Sequence, residues 1–62
     1  MIQREFSWKN ITFIVKTFDG ETWWFRDKAH LGGPQSSVEL ALKNKSLDLS
    51  FRKALKKAIG WD

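Results

Sequence analysis

The stretch FDGETWWFRD, residues 18–27, decides how this chain folds, because it joins a turn signal to two adjacent tryptophans. Neighbouring residues of a β-strand point to opposite faces of the sheet, so Trp23 and Trp24 must part company. Asp19-Gly20 tolerates positive φ at both positions, as a two-residue type I′ hairpin turn requires. Such a turn predicts strands over residues 11–18 and 21–27. It pairs Phe18 with Glu21, Lys16 with Trp23, Val15 with Trp24, Ile14 with Phe25 and Phe13 with Arg26.

Working outward, residues 2–8 also alternate, and Lys9-Asn10 offers a second tight turn because Asn10 tolerates the left-handed region. Trp8 then lies opposite Ile11, Phe6 opposite Phe13 and Arg4 opposite Val15. One face of the resulting meander collects Ile2, Phe6, Trp8, Ile11, Phe13, Val15 and Trp24, the expected core. The other collects Ile14, Phe18, Trp23 and Phe25 among Gln3, Glu5, Ser7, Thr12 and Lys16.

Residues 30–35, HLGGPQ, break the alternation. Ser36 and Glu39 have the spacing of a capping box before Val38, Leu40, Ala41 and Leu42, which predicts a short helix ending near Asn44. Ser46 or Asp48 can cap a second helix, on which Phe51, Ala54, Leu55, Ala58 and Ile59 recur at helical spacing. Gly60 suits the left-handed residue after its last turn, with Trp61 placed to fold back on it. The expected architecture is α+β: a three-stranded antiparallel meander followed by two short helices packed on one face, β-β-β-α-α. Residues 1–62 form one small domain, with the meander in 1–28 and the helical part in 34–62.

A 62-residue domain buries only about 60% of its unfolded surface, so its stability is marginal. The chain has no cysteine, which excludes disulfides and thiolate metal sites and agrees with a reducing, cytoplasmic setting. No apolar run reaches the ~20 residues of a membrane span, and the first residues lack the apolar core of a signal peptide. His30, the single histidine, has no companions for a metal site and is expected to be an ordinary loop residue. Gly32-Gly33 lacks the rest of a phosphate-cradling motif, and Pro34 removes an amide such a cradle would use. No serine has an evident base and orienter. The expectation is a non-enzymatic protein with no cofactor, no metal, no membrane contact and no small-molecule substrate.

Charge is lopsided. Through residue 42, Arg4, Lys9, Lys16, Arg26 and Lys28 balance Glu5, Asp19, Glu21, Asp27 and Glu39. Beyond it, Lys43, Lys45, Arg52, Lys53, Lys56 and Lys57 face only Asp48 and Asp62, and this excess is the whole net charge of +4. Arg52, Lys53, Lys56 and Lys57 are therefore a candidate nucleic-acid-binding surface, against the plainer alternative of a solvated face that keeps a small protein in solution.

Two helices cover one side of the sheet, so Ile14, Lys16, Phe18, Trp23 and Phe25 are expected on the uncovered side as a partner-binding patch. With Glu5, Glu21 and Asp27 placed around Lys16, that patch favours a protein partner or a second copy of this chain over base stacking. A DNA- or RNA-binding regulator acting through the basic helix is the alternative. The two surfaces lie on opposite sides of the molecule, and a dimer through the sheet would present the helices outward.

Asp19-Gly20-Glu21, Trp24-Phe25 and Leu31-Gly32 resemble the start of the amino-terminal domain of Bro-type phage antirepressors. That family places a helix where this chain has only residues 26–30. The three-strands-then-helix order is similar to the arm-binding domains of phage integrases, which lay a basic sheet face in the DNA major groove. The face drawn above is not basic. Small chains of this kind are common among phage and mobile-element accessory proteins, and that is the setting expected here.

Overall fold

The computed structural model describes residues 1–29 and 34–61. His30 and Gly32-Gly33, interpreted above as loop residues, lie outside the described residues. The fold is α+β. Strands β1 (Ile2–Trp8), β2 (Ile11–Thr17) and β3 (Trp23–Asp27) form an antiparallel meander, and a two-residue strand β4 (Ser36–Ser37) pairs with β3. Helices α1 (Val38–Lys43) and α2 (Leu49–Ile59) follow.

The first hairpin has the expected register: Trp8 pairs with Ile11, Phe6 with Phe13 and Arg4 with Val15. Lys9 and Asn10 both adopt positive φ, 48° and 65°, as a type I′ turn demands. The second hairpin departs from the expectation by one residue. Thr17 pairs with Trp23, Lys16 with Trp24, Val15 with Phe25, Ile14 with Arg26 and Phe13 with Asp27.

The cause is Asp19. Its Oδ1 accepts hydrogen bonds from the amides of Glu21 and Thr22, both at 2.8 Å, and from the Thr17 hydroxyl at 3.1 Å. Thr17 Oγ1 in turn accepts from the Gly20 amide at 2.9 Å. These local bonds satisfy the backbone without a ladder, so the strands stop at Thr17 and Trp23. Residues 18–22 form the loop, and only Gly20 within it has positive φ. A one-residue slip exchanges the two faces of β3.

The core lies between one sheet face and the helices. Val15, Val38 and Leu55 are fully enclosed, with Trp23, Ala41, Phe51 and Ile59 buried around them. Phe51 is the hub, with ring centroids 5.0 Å from Trp8, 5.1 Å from Phe13 and 5.7 Å from Phe25. Such edge-on and tilted pairs add to the area they bury.

Caps and side-chain ties hold the helices in place. Ser37, one residue later than expected, caps α1 by accepting from the Leu40 amide, so Glu39 is not the reciprocal partner of a capping box. It lies instead 4.0 Å from Lys43 one turn on. Asp48 caps α2 through the Ser50 amide, and Gly60 ends it at φ 76°. Trp8 Nε1 donates to Ser50 Oγ at 2.9 Å, and Ser50 Oγ donates to Asp48 Oδ1 at 2.7 Å, which fastens the start of α2 to β1. At the other end, an Arg4 guanidinium nitrogen donates to the Ala58 carbonyl at 3.1 Å while its carbon lies 5.6 Å from the Trp23 ring centre. A cation at the carbonyl end of a helix is electrostatically favourable.

Candidate functional site

The register of β3 redraws the uncovered sheet face. Trp23 is only 5% exposed and lies in the core, and Phe25 packs against that core from its margin. Phe25 also borders a shallow groove with Leu40, Ala41 and Leu47 on the helix side. The aromatic patch expected from Ile14, Phe18, Trp23 and Phe25 therefore does not form, because two of its members belong to the other face. Ile14 does face outward, yet it is 5% exposed, enclosed at the centre of the sheet between Glu5 and Arg26 in the pairing. Phe18 sits in the loop and is 64% exposed, with Lys16 Nζ 5.6 Å from its ring centre.

What the slip brings outward is Trp24 and Arg26. Trp24 lies directly opposite Lys16 and two residues from Arg26, and all three side chains are partly exposed. Asp27 moves to the opposite side, where its carboxylate accepts from the Ala29 amide at 2.9 Å. Glu21 lies in the loop. Lys28 continues the outward alternation of β3 and reaches Glu5 on β1 at 3.2 Å. The face thus carries Lys16 and Arg26, with Lys28 and Glu5 paired to one another beside them. The electrostatic objection to phosphate disappears with the register that created it. The signal that could have found this site is the pair Thr17 and Asp19, whose side chains bind the loop amides and lengthen the turn.

The basic helix face is also altered. Lys53, Lys56 and Lys57 are exposed, but Arg52 is half-buried and its Nε is enclosed without a hydrogen-bond partner among the described residues. The stripe turned to solvent is a lysine stripe.

Two carboxyls are perturbed. The amides of Thr22 and Glu21 hold Asp19 below the usual carboxylate range, and the Ser50 hydroxyl and amide do the same for Asp48. Both acids stabilise loops and caps and neither faces the Trp24 surface. Among the described residues no three acids or histidines gather as a metal site would need, and no helix is long and apolar enough to cross a membrane. The chain matches no family model, no curated protein and no solved structure.

Proposed function

We propose that this chain is a non-enzymatic, cytoplasmic nucleic-acid-binding module that holds single-stranded DNA or RNA on the open face of its sheet. The observation that carries the proposal is Trp24, opposite Lys16 and two residues from Arg26, on the side the helices leave uncovered. Bases stack on an indole, and flanking cations meet the phosphates that follow the stacked base. Phe18, exposed beside Lys16, extends the platform by a second ring. A single strand suits this surface better than a duplex, because its bases are free to stack. The partner's charge suits Lys16 and Arg26. A cytoplasmic location is part of the proposal and rests on a fold that uses no disulfide.

The test is fluorescence anisotropy of labelled oligothymidylate across a range of salt. Trp24→Thr, which keeps a strand-forming residue, weakens binding about tenfold if one base stacks there. Lys16→Gln with Arg26→Gln lowers the slope of log affinity against log salt by about 1.4, the share of two phosphates on a single strand. Binding that ignores Trp24, or no binding at low salt, would overturn the proposal.

A protein partner or self-association is the second reading, favoured by the exposed Phe18 ring. Sedimentation of wild type and Phe18→Ser decides it: a dimer that Phe18→Ser dissociates supports this reading, and a monomer removes the self-associating form.

A further inference from the structure

The outer side of α2 is a second charged surface, remote from the first. In Leu49–Ile59 the residues Phe51, Leu55 and Ile59 are buried, which turns Lys53, Lys56 and Lys57 away from the sheet. The sequence of this helix contains no acid. Arg52 with Lys56, and Lys53 with Lys57, are like-charged pairs one turn apart, an arrangement that destabilises an isolated helix. A surface kept only for solubility mixes signs along a helix and gains from opposite-charge pairs. α1 does so, with Glu39 4.0 Å from Lys43, and α2 does not. Among the described residues no carboxylate bridges Lys53, Lys56 or Lys57. A polyanion on this side would relieve the repulsion that the helix carries alone.

Both helices pack on one face of the sheet, so this lysine stripe and Trp24 lie on opposite sides of a molecule whose shortest dimension is 17 Å. One strand cannot lie on both surfaces without wrapping round the domain. We infer that Lys53, Lys56 and Lys57 form a second contact surface for the nucleic-acid backbone, so that one molecule bridges two nucleic-acid segments. The bridging rests on the sheet-face reading for one of its two surfaces. The helix surface offers ammonium groups and no ring, so it grips phosphates without regard to base.

The experiment mixes oligothymidylate labelled with a donor fluorophore and the same oligomer labelled with an acceptor, and titrates the protein into the mixture. Anisotropy of the donor strand reports binding at either face, the Trp24→Thr variant gives the sheet's share of it, and energy transfer between strands reports the bridge. Wild type gives transfer that rises with protein and falls again in excess, when each strand holds its own molecules. Lys53→Gln, Lys56→Gln and Lys57→Gln together abolish the transfer and leave single-strand binding within about threefold. In wild type the transfer falls with salt more steeply than single-strand binding does, by about 2 in slope, the share of three phosphates on single strands. Transfer that persists in the triple variant would overturn the inference. So would wild-type binding without transfer at any ratio, or a free protein that is already dimeric in the same buffer. If Trp24→Thr leaves both signals unchanged, the sheet reading and the bridge fail together. Loss of transfer alone in the lysine variant separates the helix surface from the sheet.

Discussion

Trp23 and Trp24 are the same residue in consecutive positions, and their environments give them opposite duties. Trp23 is buried under α1 and α2 with Arg4 against its ring, so Trp23→Ala leaves a large cavity and costs about 3–5 kcal/mol. That is comparable to the entire stability of a domain of this length, and Trp23→Ala is expected to lose its cooperative thermal transition. Trp24 is partly exposed, and Trp24→Thr is expected to melt cooperatively with its midpoint within several degrees of wild type. Equal loss in both variants would contradict the observed register. Asp19 and Asp48 supply a pH signature at the same scale. Hydrogen bonds lower both folded-state pKa values, so each carboxylate stabilises the fold above its unfolded value of about 3.9 and stops doing so as pH falls through the lower folded value. Asp19→Asn with Asp48→Asn should lower the neutral plateau of a melting-temperature profile and flatten its acid side, because the stability that the two carboxylates lose in acid is already gone. An unaltered acid limb would show that these carboxylates are not held by their amides.

Among the elements, α2 binds the fold together. Phe51 meets four aromatic rings drawn from β1, β2 and β3, and Phe51→Ala is expected to cost about 3–5 kcal/mol and unfold most of the population. Gly60 ends the helix at φ 76°, where an added Cβ would meet only Arg4 Nη1 at an ordinary 3.8 Å. Gly60→Ala therefore costs about 1 kcal/mol from backbone conformation alone, measurable as a lower urea midpoint. These elements were legible in the sequence wherever a pattern repeats: residues 2–8 alternate up to the Lys9-Asn10 turn, which fixes the pairing with the apolar strand that follows, and the stripe from Phe51 to Ile59 has one period throughout. β3 was legible as a strand but not in its register. Asp19-Gly20 has the composition of a type I′ turn, yet hydrogen bonds from Glu21, Thr22 and Thr17 give it a longer loop, and the parity of loop length alone decides which tryptophan is buried. β4 was not legible at all, because Ser36 and Ser37 carry no apolar signal and pair with Trp24 and Phe25 through backbone. Of the candidate site, Lys16 stands on the uncovered face as expected, while Trp24 and Arg26 were hidden by the same parity.

For the whole molecule, the distribution of charge matters more than the net value. Cations gather on a sheet face, where they flank an indole, and on a helix face, where lysines stand without acids. Two such faces predict binding that weakens steeply with salt, from two separable contributions. Removing Lys16 and Arg26 should lower the salt slope of single-strand binding, and removing Lys53, Lys56 and Lys57 should abolish bridging while leaving that slope nearly unchanged, since the sites are distant. A lysine variant that still bridges would leave the molecule one-sided. The most direct measurement is a two-dimensional NMR titration with oligothymidylate, because each of the four indole N–H groups gives its own signal. The Trp24 indole and the amides of Lys16, Trp24 and Arg26 are expected to shift at the first additions while the buried Trp23 indole stays still. Shifts that leave Trp24 silent, whether they fall on α2 alone or nowhere, would contradict binding on the sheet face.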